Sequence, residues 1–210
     1  MFLFRESLPK IKGHIRFIHA IPDAPGVDIY LDNKLIFTDL SFGNTTNYIA
    51  ITPGTYSVKL FVSGTKNNPL ITESLQIAPD SVSTVNITYE NNEIAFFSID
   101  DTYNMSNPFL SYVRFINVAS TAPLLSLTLP DGRVLFNETS YLETNDYYPI
   151  SSGIYNFIVS TADGDFNKYI SNVKLDKNFF ITIYMIGLYK KKPPLGYILV
   201  RDDLISPKPL

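Results

Sequence analysis

An all-β chain folded as two tandem β-sandwich domains is what the 210 residues predict. Three observations carry that prediction: apolar and polar residues alternate with a period of two, turn residues punctuate the alternating runs, and the whole pattern occurs twice. Seven or so short strands at 8–12-residue spacing, read twice over, are the signature of paired sheets rather than of helices on a sheet.

The repeat fixes the organisation. Ile15-Arg16-Phe17-Ile18-His19-Ala20 returns 98 residues later as Val113-Arg114-Phe115-Ile116-Asn117-Val118, and Pro25 returns as Pro123. After a one-residue insertion Phe37 pairs with Phe136, Tyr48 with Tyr147, Gly54 with Gly153 and Tyr56 with Tyr155. Each copy closes on a double aspartate, Asp100-Asp101 and Asp202-Asp203. The expected division is an arm at 1–12, a first domain at 13–101, a linker at 102–110, a second and diverged domain at 111–203, and a tail at 204–210.

In copy one, Ile15 and Phe17 alternate with Arg16 and Ile18, and Val27, Ile29 and Leu31 alternate with Asp28, Tyr30 and Asp32. The same period runs through Tyr56, Val58, Leu60 and Val62, then through 82–89 and 94–99. Between them fall Pro22-Asp23-Ala24-Pro25-Gly26, Asp32-Asn33, Phe42-Gly43-Asn44, Pro53-Gly54, Asn67-Asn68-Pro69, Pro79-Asp80 and Asn91-Asn92, the residue types that tight turns need. Copy two places strands near 112–118, 125–129, 134–137, 146–150, 154–161, 172–175, 179–187 and 195–201, with Pro130-Asp131-Gly132 as a hairpin turn. No stretch sustains apolar positions at helical spacing for three turns.

Composition bounds the partners. Only 18% of residues are charged while 45% are hydrophobic, with 14 Tyr and 15 Phe, so surface reserved for a partner is expected. A net charge of −3 with scattered Lys and Arg argues against nucleic acid. The triplet Lys190-Lys191-Lys192, after the most apolar strand, reads as a guard against edge pairing. With no cysteine, disulfides, thiolate metal sites and cysteine nucleophiles are excluded. The start of the chain lacks the apolar core of a signal peptide, and the longest apolar run, 179–187, is too short for a membrane helix.

The segment from Ile15 to Asp32, with His19-Ala20-Ile21-Pro22-Asp23-Ala24-Pro25 leading into Val27-Asp28-Ile29-Tyr30, resembles the opening of the bacterial DUF4397 domain. Tyr48 followed by Pro53-Gly54-Thr55-Tyr56-Ser57-Val58 is similar to that family's second hallmark. With its weaker second copy the resemblance spans most of 13–203. It implies immunoglobulin-like antiparallel β-sandwiches, often in tandem, on envelope-associated or exported bacterial proteins, and it brings no catalytic residues. Copy two departs from the motif: His19 becomes Asn117, Pro22 becomes Ser120, Asp23 becomes Thr121 and Asp28 becomes Ser126. The hydrophobic frame survives where the polar groups do not, which suits a scaffold.

His19, Asp23 and Asp28 in the family-motif loop read either as a metal or proton-transfer set or as turn-capping groups, and the capping role needs less. His14 reads as a solvated strand-edge residue. Asp32-Asn33 and Asp131-Gly132 supply too few oxygens for Ca²⁺; Asp100-Asp101 and Asp202-Asp203 are the better calcium candidates, set against ion pairs to Arg16 and Arg114. Paired glycosidase acids, Gly-x-Ser-x-Gly, phosphate-cradling glycine loops and His-Glu-x-x-His find no candidate in the sequence. Tyr141, Tyr147, Tyr148, Tyr155, Tyr169, Tyr184 and Tyr189 crowd copy two and read as sugar-stacking or interface groups, or as core.

The expectation is a non-enzymatic protein without metal or cofactor that works by association: a structural or surface-assembly subunit of a bacterial spore coat, appendage or envelope. Phe2, Leu3, Phe4 and Leu8 of the arm are the expected contacts for self-association into oligomers or filaments. The alternative is a carbohydrate-binding or adhesive module that takes glycans on exposed tyrosines.

Overall fold

The computed structural model describes residues 11–103 and 107–203. Sixteen strands account for the regular structure, and no helix occurs among the described residues. The first domain holds β1 (Gly13–His19), β2 (Val27–Leu31), β3 (Lys34–Leu40), β4 (Ile49–Ile51), β5 (Gly54–Val62), β6 (Ile71–Ile77), β7 (Val82–Glu90) and β8 (Glu93–Asp100). The second holds β9 (Leu110–Asn117), β10 (Leu125–Thr128), β11 (Val134–Thr139), β12 (Tyr148–Ser151), β13 (Gly153–Thr161), β14 (Asn167–Leu175), β15 (Phe180–Ile186) and β16 (Gly196–Arg201).

Each domain packs two four-stranded sheets face to face. The orders are β4-β1-β7-β8 with β3-β2-β5-β6, and β12-β9-β15-β16 with β11-β10-β13-β14. The sequence repeat is thus a repeat of topology, strand for strand. Pairing is predominantly antiparallel, as expected of these sandwiches, with one parallel strand pair in each domain, β1 with β7 and β9 with β15. The physical reason is the path of the chain. Between β1 and β7 it builds the whole of the second sheet and the edge strand β4, a crossover long enough to return parallel.

The alternation does its work on one face of each strand. Ile15 and Phe17 of β1 enter a core with Ile29, Leu60, Val85 and Ile87, and Phe17 meets Phe37 edge-on at 6.1 Å between ring centroids. Val113 and Phe115 enter the matching core with Leu127, Phe157, Val159 and Ile183. Burying one such phenylalanine is worth roughly 1.5–3 kcal/mol.

Three strands of the first domain escaped the alternation pattern: β3, β4 and β6. β3 and β6 are the edges of one sheet and β4 is an edge of the other. An edge strand packs only part of one face, and the half-polar runs Lys34–Leu40 and Ile71–Ile77 show it. The lysine triplet follows the most apolar strand, β15. β15 lies between β9 and β16, inside its sheet, and Lys190, Lys191 and Lys192 occupy the exposed loop after it, where Lys190 pairs with Asp165 at 2.7 Å. That loop leads into β16, which is the edge of the sheet.

The other face of β1 is buried as well. Arg16 is 2% exposed and Ile18 0%, although each points away from the core of its own sandwich. Domain two covers them. Ile18, Ala20 and Ile99 from one domain form a separate apolar cluster with Ile116, Val118, Tyr184, Ile186 and Val200 from the other. The two sandwiches therefore lie back to back through the sheets that contain β1 and β9.

Candidate functional site

The most built-up polar site in the described residues lies at this junction. Arg16 and Arg114 take corresponding places on β1 and β9, each opposite a threonine on the adjacent parallel strand. Arg16 Nε donates to Thr84 Oγ1 at 2.7 Å, and Arg114 Nε donates to Thr182 Oγ1 at 2.9 Å. Each guanidinium then crosses to the other domain. Arg16 Nη2 donates to Asp202 and its Nη1 to the carbonyl of Arg201 at 2.7 Å. Arg114 Nη2 donates to Asp101 and its Nη1 to the carbonyl of Asp100 at 2.8 Å. The exchange is reciprocal, as across a two-fold axis.

Hydroxyls complete the box. Asp101 accepts from Thr84 Oγ1 and from Tyr48 Oη at 2.7 Å, while Asp202 accepts from Thr182 Oγ1 at 2.6 Å and from Tyr147 Oη at 2.8 Å. Each tyrosine ring also lies under its own domain's guanidinium, at 4.4 Å for both Arg16 over Tyr48 and Arg114 over Tyr147. Asp101 and Asp202 are 0% exposed. Two arginines face two aspartates in a buried space, with every carboxylate oxygen engaged.

Burial raises the pKa of Asp202, as does the neighbouring Asp101 charge, and the two arginines oppose the shift. The Arg16 guanidinium moves upward: burial works against its charge, but Asp202 and Asp101 outweigh that. Arg114 moves the same way against its own burial, helped by Tyr147 and Asp101. Burial and the adjacent carboxylates push the phenols of Tyr48 and Tyr147 upward, so both remain hydrogen-bond donors.

The calcium candidates resolve on the same contacts. Asp101 and Asp202 spend their oxygens on arginine and hydroxyl donors, while Asp203 pairs with Arg201 at 2.6 Å and Asp100 accepts the Thr102 N–H at 2.8 Å. Among the described residues no group of three or more His, Asp or Glu is placed to hold a metal ion.

The motif loop of domain one behaves as a set of separate struts. His19 is buried, with Nε2 3.2 Å from the Pro25 carbonyl oxygen and Nδ1 accepting the Ile21 N–H at 3.3 Å. Burial lowers its pKa, with the Pro25 contact opposing. Asp28 accepts from the N–H of Asp39 at 2.9 Å, the Ser63 hydroxyl at 3.1 Å and the N–H of Gly64 at 3.0 Å, tying β2 to the neighbouring chain. Burial works against the Asp28 charge, but those donors outweigh it and hold the carboxyl below its ordinary range. Asp23 sits in the turn with φ of 57°. His19 and Asp28 thus hold different pieces of backbone.

Of the copy-two tyrosines singled out as sugar-stacking or interface candidates, Tyr169 stands exposed at 63%. Tyr141 reaches across the junction to Thr88 Oγ1 at 2.6 Å, Tyr147 belongs to the box, Tyr155 donates to the Ser151 carbonyl at 2.9 Å and Tyr184 is fully buried. Phe2, Leu3, Phe4 and Leu8 lie outside the described residues.

A family model described as a domain of unknown function, DUF4397, matches residues 13–128, more than half of the chain. The chain belongs to the DUF4397 family. The match begins with β1 and ends with β10, so it takes in all of domain one and the first two strands of domain two. It therefore contains Arg16, Thr84, Asp101 and Arg114, and stops short of Tyr147, Thr182 and Asp202. No curated protein matches this DUF4397 chain. No helix among the described residues is long and apolar enough to cross a membrane.

Proposed function

We propose that this DUF4397 protein is a structural building block that acts by protein–protein association, as a subunit of a bacterial spore or cell-surface layer or fibre. The reciprocal box at the domain junction carries the reading. Four charges and two tyrosines are committed to holding two sandwiches in one fixed relation, an investment that suits a rigid unit used for its shape. Support also comes from where apolar surface remains. Val134, Ile154, Tyr169 and Leu199 of domain two are 43–70% exposed, on or beside strands at the sheet edges. Apolar side chains next to unpaired strand edges favour contact with another chain.

The test is negative-stain electron microscopy of the purified full-length chain, with mass photometry across a concentration series. Ordered oligomers or filaments are the expected result, and a variant lacking residues 1–12 is expected to stay monomeric with both domains still folded. A parent chain that remains a monomer at every concentration ends the proposal.

A further inference from the structure

The two domains differ at the open side between their sheets. In domain one the edge strands β6 and β8 touch, and Leu75 and Phe96 from those strands both pack on the core. In domain two the matching edges, β14 and β16, flank a slot of about 230 Å³ lined by Val173, Phe179, Ile181 and Leu199 and rimmed by Lys174 and Arg201. The repeat shows how the slot became apolar. The backbone bonds from His14 N–H to the Ser81 carbonyl and from Tyr112 N–H to the Phe179 carbonyl equate Ser81 with Phe179, the parallel registers equate Ser83 with Ile181, and the antiparallel registers equate Ser98 with Leu199. Three serines of copy one are therefore apolar in copy two, and Leu199 remains 43% exposed. The rim charges are already neutralised, Lys174 by Asp176 at 3.0 Å and Arg201 by Asp203 at 2.6 Å. Such a slot suits an uncharged, apolar, extended segment between two strands that each have a free edge.

The chain supplies one. Phe2, Leu3 and Phe4 are three consecutive apolar residues, and in an extended conformation Phe2 and Phe4 share a face. The arm leaves from β1, where the Lys12 carbonyl accepts the Asp80 N–H beside Ser81. Donor and acceptor thus belong to different domains.

We propose that the slot between β14 and β16 receives the N-terminal arm of a second copy as an added strand, with Phe2 and Phe4 seated against Val173 and Leu199. This rests on the assembly reading above and names its acceptor. A contact running from domain one of one copy to domain two of the next is heterologous, so it propagates into an open chain unless the rotation closes a ring.

The absence of cysteine makes the test clean. One preparation carries Phe4→Cys and a second, mass-tagged preparation carries Leu199→Cys; they are mixed under assembling conditions and mildly oxidised. A covalent heterodimer is expected. In parallel, Leu199→Glu, at an exposed position and checked by its melting temperature, is expected to raise the concentration for half-assembly at least tenfold. Assembly that persists with Leu199→Glu and yields no heterodimer overturns the slot while leaving the assembly reading in place. A Phe4→Cys/Leu199→Cys double variant that oxidises only within single chains overturns the second copy as occupant. A parent chain that never assembles overturns both readings.

Discussion

His19 lies at the end of β1 with both ring nitrogens spoken for. Nδ1 accepts the Ile21 N–H, so Nε2 carries the proton toward the Pro25 carbonyl. A second proton would have to go on Nδ1, against an N–H, in a fully buried place. Burial accordingly lowers the pKa of this imidazole. The unfolded chain binds that proton near pH 6.5 while the folded one resists it, so the contribution to stability is constant above about pH 6.5. It is lost as pH falls from there toward the lower folded value, at up to about 1.4 kcal/mol per pH unit, and levels off below. Asp28, with its depressed carboxyl, loses its contribution in a separate window, below the ordinary carboxylate range. His19→Asn places the residue that copy two carries at Asn117, whose Oδ1 accepts the Ala119 N–H in the same way at 3.1 Å. The variant is expected to keep the turn and to flatten the urea-midpoint profile between pH 6.5 and 5. An unchanged slope there assigns the acid sensitivity elsewhere. A bond from His19 to a loop carbonyl was legible in the sequence because the residue ends a strand before a turn rich in Pro and Gly; which carbonyl, and the donors from Asp39 and Gly64 that meet Asp28, were not, since they depend on how the loops close.

At the level of the strands, the central pairs β1–β7 and β9–β15 are covered by their own core on one side and by the other domain on the other. β15 is buried at all seven positions. Opening amides there requires both domains to separate as well as a sheet to fray, so hydrogen exchange is expected to be slowest in β1, β7, β9 and β15 and fastest in the edges β4, β11 and β12. Comparable protection in β10 and β13, whose outer faces meet solvent, would mean that the junction adds little. The same geometry explains what the sequence showed of these strands. Period two reported the core faces of β1 and β9 faithfully, Ile15 and Phe17 in one and Val113 and Phe115 in the other. Ile18, Ala20, Ile116 and Val118 repeat on the opposite faces, and that recurrence was the available sign of a second buried surface. The edges β3, β4 and β6 left no comparable mark, because half-solvated positions accept polar side chains.

For the whole molecule, the question is whether the box makes two domains unfold as one. Arg16, Arg114 and the paired aspartates were visible in the sequence as repeat partners. That each arginine takes the other domain's aspartate was not, because local pattern carries no information on how two domains face each other. Desolvating four charges offsets much of their attraction, so the intact box adds modest net stability, whereas removing one member strands its partner. Arg16→Ala leaves the buried Asp202 with Thr182, Tyr147 and an Arg114 nitrogen at 3.8 Å, too far for a hydrogen bond. A cost of about 3–5 kcal/mol is expected. Adding Asp202→Ala should recover a substantial part of it, since the stranded charge is then gone, and the cycle of the two variants measures their coupling. Calorimetry supplies the second readout. The parent is expected to melt in one transition, and Arg16→Ala to separate into two as the domains come apart before either sandwich is lost. A single transition shifted by less than about 1 kcal/mol would place the coupling in the apolar cluster around Ile18, Ile116 and Tyr184, with the box setting only the angle at which the domains meet.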